Sequence, residues 1–181
     1  MNYNKTITLK NGKKCILRNG LESDGQAVFD NFILTHEETD YMLTYPDENS
    51  MDSLQEGIFL KEKAQSPDEV EILAIVDDVI AGTAGIAPIG RKYKIRHRAE
   101  FGLGIAKEYW GLGIGRALLE ACIECAKQAG YEQLELDVVA ENERAVAMYE
   151  NAGFTVYGSN PKGFKSRYTG DQELLYMRLE L

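Results

Sequence analysis

The chain has few cysteines and histidines and no long hydrophobic run. Its 181 residues include three cysteines and two histidines, and no stretch holds the roughly eighteen consecutive apolar residues that a membrane-spanning helix needs. The amino-terminal sequence MNYNKTITLKNGKK lacks the apolar core of a signal peptide. An odd number of cysteines cannot all pair within one chain, which fits a reducing compartment. We therefore expect a cytoplasmic protein with no membrane partner.

Two of the cysteines form a C-x-x-C motif that is typical of some redox and metal sites. Cys122 and Cys125 lie inside the predicted helical stretch LLEACIECAKQAG, without a second ligand pair or a neighbouring histidine. Free thiols are common in protein cores, whereas structural zinc sites need four ligands. We interpret both residues as buried core thiols and expect no metal site; a redox or metal role is the alternative.

Acidic residues outnumber basic ones. The 29 Asp and Glu against 20 Lys and Arg give a formal net charge of -9. Such a charge disfavours binding to nucleic acid and to anionic membranes, so neither is an expected partner. The length suffices for one domain with its own hydrophobic core, and the sequence shows no linker or repeat. We expect a single domain over residues 1–181.

The apolar pattern alternates between strand and helix periods along the chain. It predicts the order strand, two helices, three strands, helix, strand, helix, two strands, beginning with the strand KKCILRNG. Asp77-Asp78 marks a hairpin, and SNPKGFKSRYTGD is a loop between the last two strands. The crossover from Phe101 to Leu136 joins two parallel strands. This order predicts an α/β fold with a mixed sheet.

Three glycines stand where a helix begins, in YWGLGIGRALLEA at 109–121. Glycine costs about 0.5–1 kcal/mol relative to alanine in regular structure, so their presence needs a reason. The unpaired N–H groups of a helix start and the absence of side chains suit a phosphate group. We predict a phosphate cradle, with a tight turn that serves only chain reversal as the alternative. Its donors are the main-chain N–H groups of Leu112, Gly113, Ile114, Gly115 and Arg116.

Two familiar nucleotide motifs do not fit this run. A Walker A loop counted from Gly111 meets Arg116 where its second glycine belongs, and no Lys-Ser or Lys-Thr follows. The dinucleotide fingerprint also meets Arg116 in its last place, or Leu118 when it is counted from Gly113. A nucleotide-binding Rossmann-type domain is therefore a weaker alternative.

The glycine run resembles the acyl-CoA pyrophosphate loop of the GNAT superfamily of N-acyltransferases, [QR]-x-x-G-x-[GA]. Here the pattern is met from Trp110 to Gly115, and Trp110 departs from the usual Gln or Arg. A second block, LELDVVAENERAVAMYENAGF from Leu134 to Phe154, is similar to the family's next strand, Asn-containing turn and helix with tyrosine. The resemblance implies a GNAT-like mixed, mostly antiparallel sheet flanked by helices and splayed between the fourth and fifth strands. It also implies acetyl-CoA as the cofactor.

The resemblance places several residues at the cofactor. It implies that main-chain groups of Leu103 and Ile105 bind the pantetheine or the acyl carbonyl, and that Asn142 binds the cofactor arm. The glycines of EFGLGIA fit a close backbone approach inside a strand. Candidates for the cofactor's 3′-phosphate are Lys107, Arg116 and Arg144.

Transfer to an amine needs a base and an acid. An amine with a pKa near 10.4 must lose its proton at neutral pH, and the resemblance makes Glu100 the candidate base, either directly or through water. A solvent-facing glutamate is the alternative, and His97 is a weaker candidate. Tyr149 matches the family's general acid, which protonates the departing thiolate; a packed helix tyrosine is the alternative.

The first third of the chain points to a cationic acceptor. No Lys or Arg occurs between Arg18 and Lys61, while seven acidic residues accumulate around Tyr41 and Tyr45: Glu37, Glu38, Asp40, Asp47, Glu48, Asp52 and Glu56. In the family this segment forms a wall of the acceptor site, so we expect a small amine, a polyamine or a protein or peptide amine; a solvated acidic loop is the alternative. The expected acceptor-binding residues are Glu37, Tyr41, Tyr45, Arg167 and Tyr168.

The sequence thus predicts an acetyl-CoA-dependent N-acetyltransferase that transfers directly within a ternary complex. A non-catalytic acyl-CoA-binding module of the same fold is the main alternative. The sequence leaves open the identity of the acceptor, the acyl chain length and the oligomeric state, a homodimer included.

Overall fold

The computed structural model describes all residues from Met1 to Leu181, arranged as one eight-stranded sheet and four α-helices. The strands are β1 (Asn4–Thr8), β2 (Lys14–Asn19), β3 (Val70–Val76), β4 (Val79–Pro88), β5 (Arg98–Ile105), β6 (Gln133–Val139), β7 (Thr155–Ser166) and β8 (Gly170–Glu180). The helices are α1 (Gly25–Glu37), α2 (Ser53–Gln65), α3 (Ile114–Ala129) and α4 (Glu143–Asn151). No helix combines the length and the apolar character that crossing a membrane requires.

The strand order in the sheet is β1-β2-β3-β4-β5-β6-β8-β7. Only β5 and β6 pair in parallel, and every other neighbouring pair is antiparallel. Apolar residues of α3, among them Leu118 and Cys122, are fully buried in the main core cluster together with strand residues. Gly130, with φ 81°, ends α3 in the left-handed conformation that glycine favours. The structure confirms the predicted mixed α/β fold.

Two parts of the sequence prediction need correction. β1 was not expected; it pairs with β2 through a turn at Asn11 and Gly12, where Gly12 has φ 85°. The expected loop SNPKGFKSRYTGD is mostly strand. β7 and β8 pair as far as Ser166 opposite Gly170, which leaves only residues 167–169 as the turn between them. β7 lies at the edge of the sheet, where the missing N–H of Pro161 interrupts no inner ladder.

The three cysteines are free and buried. Burial raises the pKa of the Cys15 and Cys125 thiols to about 11, and it also raises the pKa of Cys122 well above its ordinary value. The thiolate is the reactive form of cysteine. These residues therefore act as small core side chains, in agreement with the interpretation of the C-x-x-C motif.

The sheet opens between β5 and β6. The two strands pair over only three positions, from Arg98 opposite Gln133 to Glu100 opposite Glu135. From Phe101 to Ile105, β5 continues to pair with β4 but no longer with β6. Because β1 was not predicted, the predicted fourth and fifth strands correspond to β5 and β6. The opening between them is therefore the predicted splay.

An ion pair joins β5 and β6 where they still pair. Arg98 donates through Nη2 to Glu135 Oε2 at 2.7 Å and through Nε to Oε1 at 2.5 Å. Tyr157 adds a hydrogen bond from its hydroxyl to the same carboxylate at 3.2 Å. The hydrogen bonds from Arg98 lower the pKa of Glu135, whose side chain is only 9% exposed.

We expect Arg98→Met to lower the free energy of unfolding by about 2 kcal/mol at neutral pH, because it leaves the buried Glu135 carboxylate without its cation. A folded-state pKa below 4.5 means that Glu135 contributes stability above pH 4.5, and that this contribution disappears as the pH falls through the lowered value. The difference between wild type and variant in urea denaturation should therefore shrink below about pH 4.

Arg91→Met is the matched control, since Arg91 pairs with Asp68 and Glu69 but its side chain is 66% exposed. Its loss should stay below about 1 kcal/mol. An Arg98 variant as stable as this control would contradict the assigned importance of the ion pair.

Candidate active site

A cavity of about 460 Å³ lies at the opening of the sheet. Its walls are the end of β5, the loop before α3, residues of α4 from Glu143 to Tyr149, and residues 35–42 at the end of α1 and just after it. It brings together ten of the residues predicted from the sequence: Tyr41, Leu103, Ile105, Gly113, Ile114, Gly115, Arg116, Asn142, Arg144 and Tyr149.

The glycine loop presents a row of unpaired N–H groups to this cavity. Gly111 and Gly113 have φ of 83° and 99°, values that side chains rarely tolerate. No main-chain N–H from Gly111 to Arg116 donates a hydrogen bond within the chain, and Gly113 caps α3. The loop is therefore an open donor surface at a helix N-terminus, the arrangement that binds anions.

Gly115 is small for a different reason, namely close packing. A Cβ at this position would lie 3.1 Å from Met148 Sδ and 3.2 Å from Ile105 Cδ1. These distances are shorter than ordinary van der Waals contact, so Met148 and Ile105 would have to shift by a few tenths of an ångström to admit a side chain here. Leu112 contributes its carbonyl, which accepts the N–H of Lys10 at 3.2 Å.

The end of β5 offers main-chain groups to the opening. Arg98 accepts from Ile89 at 3.1 Å and Ala106 donates to Ala81 at 2.9 Å, so even-numbered residues of β5 direct their main-chain groups to β4. Because successive residues alternate, Leu103 and Ile105 direct theirs towards the missing β6 partner. The Ile105 carbonyl accepts the indole N–H of Trp110 at 2.7 Å. The Ile105 N–H and both main-chain groups of Leu103 have no strand partner.

Tyr149 is buried in the wall of the cavity. Its ring packs against Phe101 and Phe154, with centroids 6.1 Å and 5.8 Å away. The residue is only 7% exposed, and its hydroxyl has no hydrogen-bond partner in the chain. Burial raises the pKa of Tyr149 above its ordinary value of 10.0, so the group stays protonated at neutral pH. A protonated, unpartnered hydroxyl that faces a cavity can donate to a bound molecule.

Asn142 stands at the start of α4. Its Oδ1 accepts the N–H of Ala145 at 3.3 Å and caps the helix. The Nδ2 amide donates to no group of the chain, and Asn142 lines the cavity. One side chain can therefore position α4 and contact a ligand.

The structure does not bring Glu100 together with Tyr149. Glu100 is exposed and lies outside the cavity, opposite Ala87 and Glu135 in the sheet. His97 is also outside the cavity; its carbonyl accepts the N–H groups of Glu132 and Gln133 and fixes the start of β6. The role of Glu100 as a base stays a prediction.

The predicted acceptor residues are divided between two cavities. Tyr41 lines the cavity at the glycine loop, whereas Glu37, Tyr45 and Tyr168 line a second one of about 470 Å³ beside it. Arg167 lines neither cavity.

Asp40 joins the loop after α1 to the turn between β7 and β8. Its carboxylate accepts from the Tyr45 hydroxyl at 3.0 Å, Ser166 Oγ at 2.5 Å and Thr169 Oγ1 at 3.2 Å. Arg167 pairs with Asp47 at 2.7 Å, and its guanidinium lies 4.2 Å from the Tyr45 ring centroid. We call these contacts the loop–turn junction.

Most of the acidic residues expected to attract a cation have partners in the chain. Glu38 accepts the N–H of Lys107, Asp52 caps α2, and Glu56 is buried. Glu48 accepts the N–H of Tyr45, while Asp40 and Asp47 belong to the loop–turn junction. Of the seven acids, only Glu37 is neither buried nor bonded to another group of the chain. The segment is therefore far less available to a cationic acceptor than its composition suggests.

Sequence reasoning missed Lys10 as a cavity residue. Lys10 lines the cavity because the β1–β2 turn reaches the glycine loop. The signal for this hairpin was Asn11-Gly12, a dipeptide typical of tight turns between strands.

Residues 32–154 match the model of the acetyltransferase (GNAT) family. The chain belongs to this family. The expectation drawn from the glycine run and the second block is thereby confirmed.

GNAT relatives resemble the chain over short stretches. Mycothiol acetyltransferase of Propionibacterium freudenreichii is 45% identical over 58 residues, which cover 32% of this chain and 19% of that protein. The ribosomal protein bS18-alanine N-acetyltransferase of Escherichia coli K12 is 41% identical over 54 residues, covering 30% of this chain and 36% of that protein. The chain thus spans about a fifth to a third of the length of these curated relatives.

Solved GNAT structures match nearly the whole chain. A GNAT acetyltransferase of Streptococcus pneumoniae has a TM-score of 0.88 and 27% identity, covering 92% of this chain and 99% of that one. The yncA protein of Salmonella typhimurium, solved with its cofactor acetyl-CoA, has a TM-score of 0.80 and 19% identity, covering 92% and 94%. At 19% identity, the similarity to yncA shows a shared fold alone.

We expect Asp40→Ala to loosen the loop–turn junction, because it removes the shared acceptor of three hydroxyl groups. The free energy of unfolding should fall by about 1–2 kcal/mol, and amide hydrogen exchange should accelerate in residues 40–48 and 166–169. Asp30→Ala is the control, since Asp30 is exposed and bonds only Gln26. Unchanged exchange in both segments would mean that Asp40 does not hold them together.

Proposed function

We propose that the protein is an N-acetyltransferase that transfers an acetyl group from acetyl-CoA to a primary amine, directly and within a ternary complex. One observation carries the proposal: a single cavity joins the unpaired N–H groups of residues 111–116 to the unpartnered hydroxyl of Tyr149. The unpaired N–H groups suit a phosphate. The Tyr149 hydroxyl suits a leaving group that needs a proton. Membership of the GNAT family supports both assignments.

The chain's own groups suit the successive parts of coenzyme A. The N–H groups of the glycine loop would hold the pyrophosphate. The free main-chain groups of Leu103 and Ile105 would bind the amides of pantetheine as an added strand would, and Asn142 Nδ2 would donate to the same arm. When bound, acetyl-CoA supplies the acetyl group as a reactive thioester.

Three groups of the protein assist the transfer. The Ile105 N–H, fixed at the end of β5, donates to the thioester carbonyl oxygen as negative charge develops on it. As the amine nitrogen bonds to the acetyl carbon and the bond from that carbon to sulfur breaks, the Tyr149 hydroxyl gives its proton to the sulfur. Glu100 receives the proton of the amine. It does so through water and not directly, because its exposed side chain lies outside the cavity.

The acceptor is a small amine, a polyamine or a protein or peptide amine. The two curated relatives named above act on different acceptors, which supports an acyl transfer reaction without choosing among these. Among the predicted acceptor residues, Tyr41 alone lines the cavity that contains Tyr149 and would contact the reacting amine, while Glu37, Tyr45 and Tyr168 would bind the more distant part of the acceptor.

We expect Tyr149→Phe to lower kcat for thiol release from acetyl-CoA by about a hundredfold, the effect of losing a general acid. Acetyl-CoA affinity and thermal stability should hardly change, because the hydroxyl has no partner in the protein. The assay measures thiol release against a panel of amines, peptides and aminoglycosides.

Tyr131→Phe is the matched control. Tyr131 is as buried as Tyr149, at 7% exposure, but its hydroxyl donates to the Asp68 carbonyl at 3.0 Å, away from the cavity. This variant should lose about 1 kcal/mol of stability and keep its kcat. If wild type binds acetyl-CoA but no amine releases thiol, the protein is a non-catalytic acyl-CoA-binding module; if it does not bind acetyl-CoA, the proposed function is wrong.

A further inference from the structure

Trp110 is the residue at which the glycine loop departs from the GNAT pattern of Gln or Arg. Its indole Nε1 donates to the Ile105 carbonyl at 2.7 Å. The ring is thereby fixed between the end of β5 and the glycine loop. It cannot supply the charge or the amide of the usual residue, so any such contact must come from elsewhere.

Arg144, in the first turn of α4, lies on this ring. Its guanidinium carbon is 5.5 Å from the Trp110 ring centroid, within the range of a cation–π interaction. Its Nη2 is 3.6 Å from the position that a Cβ on Gly111 would occupy. The guanidinium therefore lies directly beside the unpaired N–H groups of the glycine loop.

Arg144 differs from the other cations that line the cavity. Arg116 is paired with Glu120 at 2.8 Å and its side chain is 80% exposed. Lys10 has a flexible ammonium with no aromatic contact. Arg144 makes no salt bridge or hydrogen bond with the chain, although Glu141 and Glu143 also line the cavity. Its planar fork of donors is held by stacking alone and remains free for an anion with two oxygens.

We infer that Arg144, positioned by Trp110, binds the pyrophosphate of coenzyme A and replaces the contact that the usual Gln or Arg would make. The inference rests on the proposed function, because it takes the cavity to hold acetyl-CoA. A guanidinium adds two charge-assisted hydrogen bonds to the main-chain donors of the loop. The ring of Trp110 limits the freedom of the side chain before binding, which reduces the entropy lost on binding.

Calorimetric titration of the purified protein with acetyl-CoA tests this inference. We expect Arg144→Gln to weaken binding about tenfold or more, and Arg144→Lys to restore only part of the affinity. Arg96→Gln is the matched control, because Arg96 also stacks on an aromatic ring, that of Tyr93 at 4.6 Å, and lies outside the cavity. It should bind as wild type does.

A second probe separates the two kinds of phosphate in the cofactor. If Arg144 binds the pyrophosphate, Arg144→Gln should weaken binding of 3′-dephospho-coenzyme A by the same factor as that of coenzyme A. If the loss disappears with the dephosphorylated probe, Arg144 binds the 3′-phosphate and the inference is overturned.

A double-mutant cycle tests the part of Trp110. Trp110→Phe keeps an aromatic face and should retain most of the affinity, whereas Trp110→Ala should lose about as much as Arg144→Gln. The double variant Trp110→Ala with Arg144→Gln should lose little more than either change alone, since both remove the same contact. Additive losses would overturn the positioning role.

The outcomes also distinguish this inference from the proposed function. Wild type that fails to bind acetyl-CoA contradicts the proposed function. Wild type that binds, together with an Arg144→Gln variant of equal affinity, contradicts only the inference. Circular dichroism of each variant should show the wild-type fold, since neither side chain is buried.

Discussion

The arrangement depends on two strands that must pair at one end and separate at the other. The ion pair between Arg98 and Glu135 holds β5 and β6 together over their three paired positions. Beyond Glu100, unpaired main-chain groups of β5 would be costly if they were buried without partners. They are tolerated because they face a cavity. The opening in the sheet is thus both a structural cost and the place where a ligand can supply the missing hydrogen bonds.

Much of the site was predictable because it is local in sequence. Gly111 and Gly113 require positive φ, Asn142 caps the next helix, and Tyr149 follows within that helix. Each of these features depends on neighbours only a few residues away. The same is true of the order of strands and helices, which follows from the apolar pattern.

The remainder depended on partners distant in sequence. The acidic residues of 37–56 look like an attractive patch, but their composition does not show that Arg167 and Ser166 return from the end of the chain to bind them. Likewise, the strand character of the later part of β7, from Ser159 to Ser166, comes from pairing with β8 and not from its own Pro- and Gly-containing sequence. The sequence offered an exposed Glu100 only as an alternative, because alternation along a strand does not say which face is covered.

The hydrogen bond from the Lys10 N–H to the Leu112 carbonyl makes the glycine loop sensitive to changes near the start of the chain. The turn between the first two strands supports the glycine loop from outside, although the two segments lie far apart along the chain. An affinity tag placed inside this turn, or a cleavage that removes the first strand, would withdraw that support from a loop whose shape sets the spacing of its donors. Fusions at the opposite end of the chain would leave this support intact.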